Sequence, residues 1–266
     1  MSAAAVLVVA GWDPSGAAGL AQDLKVLSEL GLHGCGVPAA LTAQGHGGVA
    51  RVEGVEPSLL RQQLMALLQE QPIKAVKLGL LYGAAQAAVL DECLALKPGL
   101  PLVLDPVLSA SAGGALVRED LLPVLKAKLL PRTTVLTPNL LEASALTGLP
   151  LAAKRQDLPK LAYALLDLGP QAILLKGGHL GGAQSPDFYL DREREAWLEA
   201  PRVATKNSRG TGCALASAIA AGLAQGQALE AAVASAWAYV GEAIRRAPGL
   251  GAGSGPLDHG WPIRGR

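Results

Sequence analysis

Short, predominantly apolar runs alternate with longer stretches of helical periodicity along most of this chain, and that alternation constrains its fold more than any other feature. A strand solvated on one face alternates apolar and polar residues. Continuous apolar strands joined by helices belong to a mostly parallel sheet covered on both faces. The runs Ala5 to Ala10, Val37 to Thr42, Ala75 to Leu80, Leu102 to Val107, Thr134 to Thr137 and Ala172 to Lys176 read as strands. Ala18 to Leu30, Leu59 to Gln69, Ala84 to Leu96, Glu119 to Leu130, Leu140 to Thr147 and Leu158 to Leu168 read as the helices between them. Phe188 to Leu190 and Ala196 to Ala200 flank a charged turn and predict a hairpin at one sheet edge. Two closing helices, Thr211 to Ala224 and Leu229 to Arg245, precede a Gly-rich tail. With no linker and no internal repeat, the expectation is one doubly wound, three-layer α/β/α domain over residues 1–266.

Half the residues are hydrophobic but only 3% are aromatic, so the core must be built from Ala, Leu, Val and Ile. The 23 Lys and Arg nearly cancel the 22 Asp and Glu, which gives no footprint for nucleic acid or a membrane surface and favours a small-molecule partner. Cys35, Cys93 and Cys213 lie far apart without Cys-x-x-Cys spacing, so neither a disulfide framework nor a zinc site is expected, and a reducing cytoplasm is the simplest location. The apolar start lacks a basic region, and no apolar run reaches about 18 residues, so neither secretion nor a membrane span is expected.

In doubly wound sheets, ligands collect at the carboxyl ends of the strands. The polar residues of this chain cluster there: Asp13, Gln44, Asp105, Thr137-Pro138-Asn139 and Lys176-Gly177-Gly178-His179 each follow or end a strand. Gly11 to Gly19 connects strand to helix, yet it lacks Gly-x-Gly-x-x-Gly spacing and carries the stiffening Pro14, so it does not read as a dinucleotide turn. It is either a tight turn or the place where Asp13 or Asp23 grips a hydroxyl-bearing substrate. Asp105 and Glu142 are each compatible with a helix cap or first-turn charge. Together, with an amide beside them, they can hold Mg²⁺ directly or through waters. Lys176 is placed to neutralise nucleotide phosphates, while His179 reads as structural or peripheral.

Asn207-Ser208-Arg209-Gly210-Thr211-Gly212-Cys213 runs straight into a helix. Such a junction aims unpaired amides and the positive helix end at one spot, which suits an anion. A free cysteine is usually a small buried hydrophobe. The Gly-Thr-Gly before Cys213 turns the reading toward a thiol at the anion site, with its pKa lowered toward neutrality by the helix N-terminus.

With these blocks in place, the chain resembles the hydroxymethylpyrimidine and phosphomethylpyrimidine kinases of thiamine biosynthesis, within the ribokinase-like superfamily. The blocks are Gly11 to Lys25, Ala40 to Gln44, Asp105 to Val107, Thr137 to Ala143, Lys176 to His179 and Lys206 to Cys213. The resemblance implies that Gly11, Asp23, Gln44 and Leu80 line the pyrimidine site and that Lys176, Asn139 and Thr211 meet ATP. It further implies that Asp105 and Glu142 organise Mg²⁺, that Gly210, Thr211, Gly212 and Cys213 form an anion hole with Cys213 as base, and that the protein is a homodimer. Sugar kinases of the superfamily usually carry Asp where this chain has Cys213, which points to the pyrimidine branch. The chain departs from the family at Leu80, often Met, at Gly45-His46, commonly Asn-Thr, and at Ser208-Arg209, commonly Thr-His. The competing expectations are a pyridoxal kinase and a non-catalytic vitamer-binding protein of the same fold.

Overall fold

A computed structural model of the chain describes residues 4–45, 48–109, 114–250 and 253–264. One nine-stranded sheet forms the centre. Its strands are β1 (Ala5–Trp12), β2 (His33–Gly45), β3 (Gly48–Gly54), β4 (Ile73–Leu78), β5 (Leu102–Leu104), β6 (Val135–Leu136), β7 (Ala172–Lys176), β8 (Gln184–Asp191) and β9 (Glu195–Pro201). The spatial order is β3-β2-β1-β4-β5-β6-β7-β8-β9. Strands β2 through β7 in that order are parallel, while β3 at one edge and β8–β9 at the other are antiparallel.

Successive residues of each central strand face opposite layers, and both layers are apolar. Leu7, Val9, Val76, Leu78 and Leu104 face α2 (Pro57–Glu70), α3 (Ala84–Ala95), α4 (Leu121–Val124), α5 (Leu140–Thr147) and α6 (Leu158–Leu166). Val6, Val8, Ala10, Ala75 and Val103 face α1 (Gly19–Glu29), α7 (Thr211–Ala224) and α8 (Leu229–Arg245). The alanines of α7 explain how an aromatic-poor core closes: Ala214, Ala216, Ala218, Ala220 and Ala221 are all buried, so that helix lies close against the sheet.

The differences from expectation have local causes. Asp105 lies past the end of β5 rather than within it, because Pro106 supplies no ladder amide. The expected helix Glu119 to Leu130 begins as α4, then passes into a π turn over Leu125–Leu129 and a 3-10 turn over Leu130–Arg132 containing Pro131. The antiparallel strand β3 was not expected, since its Gly48–Gly54 segment has no buried residue and lacks a continuous apolar run. It pairs with β2 and contributes Val49 and Val52 to a small cluster with Ala40 and Leu80. The Gly-rich tail ends in a short helix, α9 (Trp261–Arg264). His46, one of the departures from the family pattern, lies outside the described residues.

Candidate active site

The carboxyl ends of β1, β2, β4, β5, β6 and β7 bring the expected polar residues to one edge of the sheet. Asp105, past β5, is 2% exposed, and Lys176, the last residue of β7, donates to its Oδ1 at 2.9 Å. Thr137 Oγ1 approaches the same oxygen at 3.4 Å. Glu142 sits one turn into α5 and reaches back in a capping box: Asn139 Oδ1 accepts from the Glu142 amide at 2.9 Å, and Glu142 Oε2 accepts from the Asn139 amide at 2.8 Å. Asn139 therefore has its carbonyl oxygen committed to the cap. Glu142 holds both functions at once, a helix cap and a carboxylate within the electrostatic reach of Lys176 and Asp105.

Burial pushes the Glu142 carboxyl up to about 7; Lys176 pulls against this, Asp105 adds to it, and the Asn139 amide opposes it. For Lys176, burial disfavours the ammonium, but Asp105 and Glu142 outweigh it and its pKa is raised. Among the described residues no three His, Cys, Asp or Glu side chains form a metal cage. Mg²⁺ does not demand one, because it commonly binds through one or two carboxylates plus waters and phosphate oxygens. Asp105 and Glu142 supply such a donor pair.

The glycine turn lies directly against this cluster. A Cβ on Gly212 would stand 2.9 Å from Lys176 Nζ and 3.5 Å from Asp105 Oδ2. Gly210 caps α7 in the left-handed region, φ 76°, where a Cβ would lie 1.9 Å from Gln22 Oε1 and 2.2 Å from the Ala17 carbonyl oxygen. Only glycine fits there. Gln22 Nε2 donates to the Gly210 carbonyl at 2.6 Å, and Thr211 Oγ1 donates to the Ser208 carbonyl at 2.7 Å. The Thr211 and Ala214 amides bond to Ser208 and Gly210, whereas among the described residues the Gly212 and Cys213 amides have no recorded carbonyl partner. Two adjacent donors therefore point out of the helix start.

Cys213 is partly exposed and sits beside this turn, but its acidity is opposite to the expectation. Burial pushes its thiol up to about 12, against the pull of Lys77, with Asp23 and Asp105 raising it further and the Gly19 amide lowering it. Asp23 also differs from the expected substrate contact. It is 0% exposed, paired to Lys77 Nζ at 2.6 Å through Oδ2 and accepting from Ser217 Oγ at 2.8 Å through Oδ1. Both oxygens face protein, so Asp23 supports the site from below.

Gln44 ends β2 and lines a cleft of about 610 Å³ with Pro14, Val49 and neighbouring residues. Gly11 and Leu80 meet beneath the sheet end, where a Cβ on Gly11 would come 2.6 Å from Leu80 Cδ2. A second cavity, about 580 Å³ between α6 and the β8–β9 turn, contains none of these residues.

Four participants were given no role from sequence, although Arg209 was noted as a departure from the family pattern. Lys77 stands in the otherwise apolar run Ala75 to Leu80, which was the available signal; Lys74, earlier in β4, is exposed. Arg209 ties the glycine turn to the opposite rim: it donates to Asp13 Oδ2 at 3.1 Å and to the Gly45 carbonyl at 2.9 Å. Ser217 binds Asp23. Asp187, on β8, accepts from the Gly177 amide at 2.9 Å and from Trp237 Nε1 at 3.0 Å, fixing the loop after Lys176; burial pushes it up to about 6.

A helix start with two outward amides beside a lysine and two carboxylates, at the carboxyl edge of this three-layer sheet, suits a phosphate, and the class with this fold is the ribokinase-like small-molecule kinases. The family model described as phosphomethylpyrimidine kinase matches residues 13–258. The chain belongs to the phosphomethylpyrimidine kinase family. It is 41% identical over 258 residues to the hydroxymethylpyrimidine/phosphomethylpyrimidine kinase of Rhizobium meliloti, covering 96% of this chain and 97% of that one. It is 38% identical to the Escherichia coli protein of the same name, covering 95% and 96%. Among solved structures, a phosphomethylpyrimidine kinase from Clostridium difficile aligns with TM-score 0.79 and 31% identity over 91% of this chain and all of that one. The pyridoxal kinase of Staphylococcus aureus in complex with AMP-PCP and pyridoxal aligns with TM-score 0.91 and 30% identity, covering 99% and 96%.

Proposed function

We propose that this protein transfers the γ-phosphoryl group of ATP to 4-amino-5-hydroxymethyl-2-methylpyrimidine and then to its monophosphate, giving the pyrophosphate used in thiamine biosynthesis. The single observation that carries the reading is the approach of the Gly210 to Cys213 turn to the Lys176–Asp105 pair, Lys176 Nζ standing 2.9 Å and Asp105 Oδ2 3.5 Å from a Cβ position on Gly212. It supports a reading in which the turn's amides and a cation act on one reacting phosphate. Relatives with 41% and 38% identity over almost the whole chain carry the hydroxymethylpyrimidine/phosphomethylpyrimidine kinase name, which supports this acceptor over pyridoxal.

Phosphoryl transfer asks a protein for positioning and charge neutralisation more than for covalent chemistry. The Gly212 and Cys213 amides hold the transferring phosphoryl oxygens, Lys176 neutralises them, and Gln44 with the Gly11–Leu80 contact orients the pyrimidine. Asn139 and Thr211 line the nucleotide side. Asp105 and Glu142 would hold Mg²⁺, which when bound supplies further neutralisation of the phosphate charge. Cys213 accepts the hydroxyl proton, a task that requires its thiolate. Residues 1–266 act as one kinase domain, in a cytoplasmic homodimer; the described helices include none long and apolar enough to cross a membrane.

Incubation with ATP, Mg²⁺ and the pyrimidine monophosphate, followed by mass detection of the pyrophosphate, tests the reading, with pyridoxal as the competing acceptor. Phosphorylation of pyridoxal alone would replace the acceptor. Tight pyrimidine binding without ATP consumption would make the chain a binding protein.

A further inference from the structure

Beneath the anion-holding turn lies a buried charge pair. Helices α1 and α7 face each other there at two levels. At the upper level the Gly19 amide of α1 faces Cys213 of α7 and lowers the pKa of its thiol. One helical turn further along both helices, Ser217 Oγ donates to Asp23 Oδ1 at 2.8 Å. Strand β4 completes the lower level with Lys77, whose Nζ is 2.6 Å from Asp23 Oδ2. The lysine side chain runs toward the carboxyl end of its strand: its Nζ would stand 2.9 Å from a Cβ on Gly79. The ammonium is thereby carried up toward the reacting edge, with both side chains 0% exposed.

Burying such a pair is expensive, and apolar residues of similar volume would hold two helices together as well or better. Its retention here has a use in the placement of its charges. The charged groups that face the thiol are Lys77 from β4, Asp23 from α1, Asp105 from the end of β5 and Lys176 from β7. Asp23 Oδ1 is bound by Ser217, one turn beyond Cys213 on α7, while Lys77 Nζ extends to Gly79 at the carboxyl end of β4, so the pair presents its positive end to the edge where Cys213 lies.

We propose that Lys77, held in place by Asp23 one helical turn from Cys213, is a positioning residue for Cys213, its ammonium supplying the positive charge beneath the turn that carries the thiol. In the transfer, the acceptor O–H bond breaks, an S–H bond forms from the thiolate, the oxygen electron pair makes the new O–P bond, and the bond from the γ-phosphorus to the β,γ-bridging oxygen breaks, its electron pair leaving on ADP. This deepens the role given to Cys213 above and rests on it. The test therefore reads the thiol itself.

Alkylation of Cys213 by iodoacetamide at pH 9, followed by mass spectrometry of its peptide, reports the thiolate fraction. Lys77→Met slows alkylation by about tenfold or more, the effect of one pKa unit, and Asp23→Asn accelerates it. A site merely loosened by either change would alkylate faster in both variants. Because each single change leaves one charge buried without its partner, Asp23→Asn/Lys77→Met provides the stable comparison, and it alkylates more slowly than wild type. Alkylation as fast as wild type, or faster, in either variant lacking Lys77 overturns the proposal. Slowed alkylation with unchanged kcat would instead count against Cys213 as base while supporting Lys77 beneath it.

Discussion

Replacing Gly210 by Ala separates the two requirements of the anion-holding turn, backbone shape and space. At φ 76° an alanine pays for a left-handed conformation, on the order of 1 kcal/mol. Its methyl would also stand 1.9 Å from Gln22 Oε1 and 2.2 Å from the Ala17 carbonyl oxygen. The glutamine can swing away only by giving up its 2.6 Å bond to the Gly210 carbonyl, and the Ala17 carbonyl is backbone. Overpacking of this kind costs about 1–3 kcal/mol more. The total of roughly 3 kcal/mol corresponds to a loss of about 10 °C in Tm for a chain of this size.

Gly226, just beyond the other end of α7, is the control. It has φ 83° with nothing within 4 Å of a Cβ, so its alanine variant pays only the conformational part, about 1 kcal/mol and about 3 °C. Differential scanning calorimetry of both variants, with a coupled ADP assay, makes the comparison. Displacement of the Gly212 and Cys213 amides lowers kcat about 100-fold in Gly210→Ala, since an ångström of misplacement suffices for that, and leaves it unchanged in Gly226→Ala. Equal loss of Tm in the two variants, or normal kcat in Gly210→Ala, refutes the argument.

Glu142 predicts a pH effect. Its carboxyl rises from 4.5 to about 7 on folding, so its contribution to stability is fully present below about 4.5 and is lost as pH rises through about 7. Urea unfolding from pH 5 to 8 therefore shows wild type losing up to about 3 kcal/mol relative to Glu142→Gln over that span; parallel profiles contradict it. Lys176→Gln lowers kcat/KM for ATP about 100-fold or more in steady-state assays, and a change below about threefold removes Lys176 from the phosphate site. Arg209→Ala strips Asp13 of its cation and frees the Gly45 carbonyl. With Arg209 16% exposed, the cost is about 2 kcal/mol, below that of a fully buried pair, and KM for the pyrimidine rises as the Gln44 end of β2 loses its tie. An unchanged KM would detach Arg209 from the substrate rim.

The parallel sheet was legible because each central strand is apolar on both faces, and α5, α7, α8 and β7 match the expected boundaries residue for residue. Edge strand β3 was not, because a glycine-bounded strand with no buried residue owes its existence to pairing with β2 rather than to its own pattern. The gathering of Asp105, Lys176 and the Thr137–Asn139 segment that leads to Glu142 followed from strand ends, whereas the Gly210 to Cys213 turn follows no parallel strand and was joined to them by its helix start and the family resemblance. The ties among them were not legible: Arg209 to Asp13 and Lys77 to Asp23 span long sequence separations and carry no local signature.

Cys213 and Glu142 share the more instructive departure. Each stands in the first turn of a helix, where the dipole favours negative charge, and each holds its proton more tightly than usual. Magnitudes decide the contest. A helix N-terminus contributes about 0.3–1 kcal/mol, less than one pKa unit, whereas full burial can move a pKa by about 3–5 units. The dipole therefore wins only where water still reaches the group. Where burial dominates, as it does for the Cys213 thiol, negative charge on Sγ depends on a discrete cation, and the sequence signal for that cation is a lysine inside the apolar run Ala75 to Leu80. Lys77 in Ile73–Leu78 is that residue, and it says more about the chemistry available to Cys213 than the glycines that precede the thiol.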